Sequence, residues 1–422
     1  MLAISFFTLL LLSVPVAFVL AITALLFIYT SDNTVLLSSY PLQFFGGLEN
    51  YGLLALPLFI LLGECMHEGG IARRLMAAAA ACIGSVRGGL AYINLLANMM
   101  LASILGSTVA QVTIMARIAV PQMQQAGYRK DTAITITALG GLLAPIMPPS
   151  MLFIIYGVIA QISIGDLFLA GIVPGLLLSL AFLAIIGVLA KKHQYPYTEH
   201  QNSKQRCKAL FQSLPAVMIP IIIIGCILGG IATPTEAAAI ACIVSILVGK
   251  YIYKELHFAF IGPALIRAAQ NAAVVLLLIA ASHVFGWVIT FENLPAQFAD
   301  WIQQVTSSPP VFLFLVVLAL LIMGMVMDPI PIIILVVPVL LPVAMDHYGI
   351  NPFHFGVVLC LSLVLGLLTP PIGSALFVAS SLSGIKAERI ARLALPYLFA
   401  ALAVIALLVL LPALSLVFIP SP

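Results

Sequence analysis

Long apolar runs dominate the 422-residue chain, and short polar connections separate them. A run of about 18 apolar residues is long enough to cross the hydrocarbon core of a membrane as a helix. Because Gly or Pro interrupts several runs, we expect about 11 to 13 membrane-entering helices, some of them shorter than a full span. The pattern predicts an all-α polytopic membrane protein. The clearest apolar runs cover residues 2–30, 150–190, 214–231, 235–252, 268–290, 311–342, 355–380 and 394–419.

The composition agrees with this interpretation. Apolar residues make up 63% of the chain and charged residues 7%, whereas a soluble domain contains about 25% charged residues. So few charges cannot cover a water-exposed surface, which excludes soluble enzymes and disordered chains. The net charge of +3 is too small to indicate a nucleic-acid partner. The six cysteines form no C-x-x-C pair, so we expect free thiols.

The longest polar connection, residues 191–214, lies near the middle of the chain. It contains five Lys or Arg residues and one acid, Glu199. Such a basic connection is typical of a cytoplasmic loop. We therefore divide the chain into a first repeat over residues 1–190, a basic cytoplasmic linker over 191–214, and a second repeat over 215–422.

The two halves contain matching landmarks in the same order. The segment GGLLAPIMPPSMLF at Gly140–Phe153 is similar to LGLLTPPIGSALF at Leu365–Phe377, and Pro174 matches Pro396 at nearly the same offset. If each half holds an odd number of spans, the two copies have opposite orientations in the membrane. This is the inverted-repeat plan of secondary transporters.

Glycine and proline are concentrated at corresponding positions of the halves, in residues 140–150 and 366–373. Proline blocks the helix and removes an amide donor, so nearby carbonyl groups lose their partners. In a membrane such groups are tolerated only where protein buries them or where they line a polar cavity. There they can bind a hard cation such as Na⁺. The alternative interpretation is two simple proline kinks.

A second pair of unusual segments lies near these breaks. ASILGSTVAQ, residues 102–111, is rich in small and hydroxylated side chains, which suit either ion binding or close helix packing. MGMVMDP, residues 323–329, contains Asp328 within an apolar stretch. An acid there is a functional candidate, although Asp before Pro329 is equally typical of a helix start.

The remaining motifs favour structural roles over catalysis. Thr233, Pro234 and Glu236 have the spacing of a helix-capping box, so Glu236 can be purely structural. The histidines have no metal-binding spacing, and neither a phosphate-binding loop nor a G-x-S-x-G motif occurs. We expect no enzyme activity. A membrane-embedded enzyme and a passive channel are the less favoured alternatives.

Six segments together resemble the large membrane subunit of tripartite ATP-independent periplasmic (TRAP) transporters, the DctM-like family, over essentially the whole chain. They are ASILGSTVAQ, GGLLAPIMPPS, GGIATPTEAAA, GMVMDPIPIIILVVPVLLPVA, GINPFHFGVV and LGLLTPPIGSALFV. The resemblance implies a multi-pass protein of the bacterial inner membrane. It implies sodium-coupled secondary import of an organic anion, such as a dicarboxylate, sialic acid, a sugar acid or a keto acid.

The resemblance also implies a fold, partners and cofactors. The fold has inverted repeats with two re-entrant helical hairpins, and a transport domain moves against a scaffold as an elevator. We expect scaffold elements at 1–60 and about 175–265, and transport elements at about 65–170 and 268–400. The partners are a small four-helix membrane subunit and a periplasmic substrate-binding protein. About two or more Na⁺ ions are transported, and no organic cofactor is implied.

Two sodium sites follow from the resemblance. The first falls on Ser103, Leu105, Ser107, Ala144, Met147 and Pro149, and the second on Gly324, Met325, Gly366, Thr369 and Ile372. Leu105 stands where a serine is common and Ala144 where a glycine is common, so only backbone carbonyls can bind there. Thr369 is the best single ligand, and Asp328 is a candidate for substrate binding or coupling. The alternative function is a stand-alone ion-coupled elevator carrier for organic anions without a binding protein.

Overall fold

The computed structural model of the protein is all-helical. It describes residues 2–12, 14–30, 34–83, 86–197, 203–370 and 373–419. A 3₁₀ turn at Tyr51–Leu54 and a π turn at Val248–Ile252 accompany the α-helices. In the first half the α-helices are α1 (Leu2–Leu11), α2 (Val16–Thr30), α3 (Thr34–Gly46), α4 (Ala55–Glu68), α5 (Ile71–Ile83), α6 (Gly89–Leu105), α7 (Thr108–Gln125), α8 (Lys130–Gly141), α9 (Met151–Ile159) and α10 (Ile164–Lys192).

The second half contains a similar series. Its α-helices are α11 (Ser203–Leu228), α12 (Pro234–Leu247), α13 (Phe258–Phe291), α14 (Leu294–Val305), α15 (Pro309–Val326), α16 (Pro329–Asp346), α17 (Pro352–Gly366), α18 (Ser374–Ser383), α19 (Ala387–Leu410) and α20 (Ala413–Leu416). Eight helical stretches of the described residues are long and apolar enough to cross a membrane, and four more are apolar but shorter. The predicted all-α polytopic class is confirmed.

The helices α5–α10 and α14–α19 form the two repeats. In each repeat a short helix precedes a helical hairpin, which is α6–α7 in the first and α15–α16 in the second. A helix interrupted in its middle follows, with one break between Gly141 and Met151 and the other between Gly366 and Ser374, and a long helix completes each repeat. The breaks fall where the paired Gly and Pro residues predict them, because proline cannot continue the hydrogen-bond ladder.

One end of the molecule, which we call the basic end, holds most of the Lys and Arg residues, in its connections and in the helix ends next to them. Contacts bring these connections together: Glu255 pairs with Arg73 and Arg74, and the Gly88 amide donates to the Pro196 carbonyl at 3.0 Å. The predicted linker enters this end at the end of α10. Its acid, Glu199, lies outside the described residues.

The connections at the opposite end contain no Lys or Arg. Here the Thr235 hydroxyl donates to the Tyr51 carbonyl, and the Tyr348 hydroxyl donates to the Thr306 carbonyl at 2.8 Å. Because basic connections remain in the cytoplasm, the charge difference assigns the basic end to the cytoplasmic side. The acids at or next to the opposite end are Glu49, Asp166, Glu236, Glu292, Asp300 and Asp346.

The two hairpins enter from opposite ends. The open end of α6–α7 lies at the basic end, next to Gly88 and Tyr128, whereas the open end of α15–α16 lies at the opposite end, next to Thr306 and Tyr348. The repeats are therefore inverted relative to each other. This arrangement agrees with the plan predicted from the matching landmarks.

Packing divides the helices differently from the sequence-based expectation. The long helix α10 packs on α17 and α19, within the group that holds the hairpins, whereas residues 175–192 were expected in the scaffold. Helix α13 packs most extensively on α2 and α4 and equally on α3 and α16, whereas residues 268–291 were expected in the transport group. The local sequence of an apolar helix does not show which other helices it packs against. The sequence alone therefore could not assign α10 and α13 to the scaffold or to the transport group.

The capping box predicted at Thr233 and Glu236 forms at the start of α12. Thr233 and Glu236 form a reciprocal capping box: the Thr233 amide donates to the Glu236 carboxylate at 2.8 Å, and the Glu236 amide donates to the Thr233 hydroxyl. Ser163 caps α10 by accepting from the Asp166 amide. These bonds satisfy amides that the first turn of a helix leaves without partners.

The orientation predicts a labelling pattern. In a variant without the six native cysteines, Glu49→Cys is expected to react with a membrane-impermeant maleimide in intact cells. Lys386→Cys is expected to react only after the inner membrane is permeabilised, because its connection lies at the basic end. Gel-shift labelling measures both. Labelling of Lys386→Cys in intact cells with protection of Glu49→Cys would contradict the assignment.

Candidate functional site

The tip of the first hairpin lies against the first break. Helix α6 ends at Leu105, Gly106 turns the chain with φ +58°, and Ser107 caps α7 by accepting from the Ala110 amide at 3.5 Å. A Cβ atom added at Gly106 would lie 3.0 Å from the Cβ of Met151, the first residue of α9. The left-handed φ and the close approach both favour glycine here.

The first break leaves carbonyl oxygens without amide donors. Ser150 closes it by donating to the Pro145 carbonyl at 2.5 Å and by accepting from the Phe153 amide in the first turn of α9. Within the described residues, no backbone amide donates to the carbonyls of Ala144, Met147 or Pro149. These three residues belong to the predicted first site, and a hard cation prefers oxygen ligands of this kind.

A buried amide network, which the sequence reasoning missed, supports this region. The Gln111 side-chain nitrogen of α7 donates to the Gly140 carbonyl at 3.2 Å and to the carbonyl and side-chain oxygens of Asn98 on α6. Asn98 donates to Asn94, which donates to Thr137 of α8 at 2.7 Å. The network therefore ties both arms of the hairpin to the helix that enters the break. Its signal in the sequence is a pair of asparagines four residues apart in an apolar run, because buried amides need partners.

The second hairpin meets the second break through a glycine contact. A Cβ atom added at Gly366 would lie 2.6 Å from the carbonyl carbon of Gly324, and one added at Gly324 would lie 2.6 Å from the Leu363 carbonyl oxygen. The backbones of α15 and α17 thus touch directly. Beyond the contact, the Gly373 amide donates to the Met325 carbonyl at 2.8 Å. The structure brings Gly324, Met325 and Gly366 together, as the second predicted site requires.

Thr369 and Asp328 occupy the edges of this second site. The Thr369 hydroxyl donates to the Leu365 carbonyl at 2.8 Å, which leaves the lone pairs of its oxygen available to a cation. Asp328 lies between α15 and α16 in the position of a helix N-cap, but its side chain accepts no capping hydrogen bond. Its exposed carboxylate lies at the tip of the second hairpin.

The remaining predicted residues are described only in part. Ser103 and Leu105 lie in the last turn of α6, but their side chains are outside the described part of the structure. Ile372 lies outside the described residues altogether. Ser107 has a structural role as the cap of α7, beside the first break. The sodium ligands themselves remain predictions.

The ligands that the site offers to a cation are oxygen atoms of the backbone and of hydroxyl groups. Across the described residues, no group of three His, Cys, Asp or Glu side chains is close enough to hold a metal ion. Four helices begin at the hairpin tips or at the breaks, namely α7, α9, α16 and α18. Helix N-termini are electropositive and favour anions. The arrangement can therefore hold a hard cation on carbonyl oxygens and an anion near the helix starts.

Comparisons with known proteins agree with this geometry. The family model "Tripartite ATP-independent periplasmic transporter, DctM component" matches residues 3–414. The chain is 36% identical over 374 residues to a 2,3-diketo-L-gulonate TRAP transporter large permease protein of Escherichia coli, covering 89% of this chain and 87% of the relative. It is 35% identical to a sialic acid TRAP transporter large permease protein of Vibrio cholerae, covering 95% and 94%.

A solved structure supports the fold. The YdaH transporter of Alcanivorax borkumensis, whose crystal structure has an unusual topology, matches with a TM-score of 0.68 and covers 89% of this chain and 87% of its own. The sequence identity is 15%, so the likeness concerns the fold alone.

The glycine contact generates a prediction. Gly366→Ala is expected to destabilise the protein by about 1–3 kcal/mol, because the new methyl group would overlap the backbone of α15. Gly262→Ala is the matched control, since no atom of the described residues lies within 4 Å of a Cβ atom added at that helical glycine. Thermal unfolding in detergent measures both variants. Equal melting temperatures for the two would show that α15 and α17 are not in contact.

Proposed function

Because the chain belongs to the DctM family of tripartite ATP-independent periplasmic transporters, we propose that it imports an organic anion across the bacterial inner membrane by sodium-coupled transport. One observation supports this most strongly. Each repeat has a broken helix covered by a hairpin tip, and the first break leaves carbonyls without amide donors. Such groups inside a membrane need a polar partner, which Na⁺ supplies.

Two sodium sites follow from this arrangement. At the first, the carbonyls of Ala144, Met147 and Pro149 bind the ion together with the end of α6. At the second, the Thr369 hydroxyl joins the backbone around Gly324 and Gly366. Binding of Na⁺ fixes each hairpin tip on its break and prepares the space between the tips for the substrate.

The substrate class follows from charge and from the relatives. The relatives that we compared are named for 2,3-diketo-L-gulonate and for sialic acid, and both compounds are organic acids. We propose that a substrate carboxylate binds near the starts of α9 and α18, where the helix dipoles favour negative charge. Asp328 then orients a hydroxyl or another donor group of the substrate, because two carboxylates would repel each other.

We propose an elevator motion on the basis of packing. Helices α6–α10 and α15–α19 move as one group, and α1–α4 with α11–α13 form the scaffold. The contacts of α13 with α16, of α4 with α6 and α9, and of α11 with α6 form the sliding surface. This division assigns α10 to the moving group, in contrast to the sequence-based expectation.

The family name implies a three-part system, so we propose a small membrane subunit and a periplasmic binding protein as partners. The alternative is a stand-alone ion-coupled carrier. Uptake by proteoliposomes distinguishes the two. We expect uptake of a labelled C4-dicarboxylate, sialic acid or 2,3-diketo-L-gulonate only with both partners and an inward sodium gradient. Uptake by the purified chain alone would favour the alternative, and uptake unchanged without a sodium gradient would exclude the coupling.

Thr369→Val tests the second sodium site without any knowledge of the substrate. We expect NaCl, compared with KCl, to raise the melting temperature of the purified chain. The variant should need about tenfold more sodium for half of this effect, which equals ~1.4 kcal/mol. Thr290→Val is the control, because Thr290 also donates to the carbonyl four residues earlier, at 2.8 Å, but lies in α13. An unchanged sodium midpoint in Thr369→Val would remove Thr369 from the site.

A further inference from the structure

Two adjoining cavities lie at the basic end, away from the hairpin tips. The outer cavity, of about 940 Å³, is lined by the starts of α8 and α19. The inner cavity, of about 330 Å³, lies between α8, α19 and the end of α10. Arg129, Arg392 and Leu393 line both, so the two cavities adjoin, and we call the outer one the entrance.

The entrance is strongly cationic. Asp131 is buried, with 5% of its surface exposed, and it pairs with Arg129 at 2.9 Å and Arg389 at 2.6 Å. Burial raises the pKa of Asp131, but hydrogen bonds from Arg389, from the Thr132 amide and from Arg129 outweigh it and leave the pKa below its usual value. Asp131 therefore stays charged and remains paired with these two arginines.

Three cationic side chains at the entrance remain without an acid partner. Lys130, Lys386 and Arg392 form no salt bridge within the described part of the chain, and Glu388 is the only other acid that lines the outer cavity. Helices α8 and α19 also begin here, so their positive dipole ends point toward the same space. The entrance therefore attracts anions.

The inner cavity supplies an unused hydrogen-bond donor. Tyr397 lines it with 2% of its surface exposed, and no described residue forms a hydrogen bond with its hydroxyl. A buried hydroxyl without a partner is costly, so its presence indicates an acceptor that binds there. Tyr128 and Tyr195 form a wall of the same cavity, with their ring centroids 5.4 Å apart.

An apolar stripe continues from the entrance along the outside of α19. Arg392, Leu395, Phe399 and Leu402 follow one another at helical spacing, and the last three are 43%, 67% and 37% exposed. Helix α19 is one of the candidate membrane spans. A molecule with a charged head in the entrance would therefore have room for hydrocarbon chains along this stripe, which a soluble anion would not use.

We propose that this pocket binds the phosphate headgroup of an anionic phospholipid from the cytoplasmic leaflet. The Arg392 guanidinium and the Tyr397 hydroxyl donate to the phosphate oxygens, Lys130 and Lys386 supply charge, and the acyl chains lie along α19. Arginine suits this role because its planar donors match phosphate. Basic pockets between helices at the cytoplasmic face are typical sites for anionic lipids. A lipid bound here connects α8 of the first repeat with α19 of the second. Its binding does not depend on sodium coupling.

The test uses the full-length chain after removal of lipids in a neutral detergent. Native mass spectrometry and thermal unfolding follow the addition of phosphatidylglycerol, cardiolipin or phosphatidylcholine. We expect the two anionic lipids to bind and to raise the melting temperature. Arg392→Gln should weaken this binding by about fivefold. Lys386→Gln, at an exposed position that tolerates substitution, should weaken it similarly if Arg392→Gln does not fold.

Two controls make the outcome decisive. Lys208→Gln removes an exposed charge elsewhere at the basic end and should bind lipid as the wild type does. Without lipid, Tyr397→Phe should have a melting temperature no lower than that of the wild type, because it removes an unpaired hydroxyl. Added phosphatidylglycerol should raise the melting temperature of this variant less than that of the wild type.

Equal binding of phosphatidylcholine, or wild-type binding by both basic variants, would overturn the proposal. Equal stabilisation by inorganic phosphate or glycerol 3-phosphate would overturn it in favour of a soluble anion.

Discussion

The need to satisfy backbone hydrogen bonds away from water governs this structure. Both repeats interrupt a helix at the depth of the hairpin tips, between Gly141 and Met151 and between Gly366 and Ser374. Such breaks are tolerated in a membrane only where protein covers them. A hairpin tip covers each one, and glycine permits the approach, at Gly106 in the first repeat and at Gly324 and Gly366 in the second. The breaks and the hairpins therefore depend on each other.

The two covered breaks are not equivalent. In the first, an amide network through Asn98 and Gln111 binds the hairpin to the carbonyl of Gly140. In the second, the contact is direct backbone packing plus one hydrogen bond from Gly373 to Met325. The first hairpin is thus held to its break by side-chain hydrogen bonds, and the second mainly by backbone packing.

The difference in charge between the two ends orients the inverted repeats in the membrane. The connections and helix ends at one end hold most of the cationic side chains, and the connections at the other end contain acids without Lys or Arg. Because the hairpins enter from opposite ends, one hairpin opens toward each side of the membrane. At the basic end, the Asp131–Arg389 pair joins residues 258 positions apart and connects the two repeats.

The sequence by itself determined the all-helical class, the two breaks, the capping box at Thr233 and the charged end, because each depends on residue types within a short window. Tertiary structure decided which helices meet. Nothing local distinguishes α10 as a neighbour of α19, or Gly366 as a contact rather than a kink, since apolar helices look alike until their surfaces are fitted together. The same holds for Gln111 and Tyr397, whose importance depends on which groups folding places beside them.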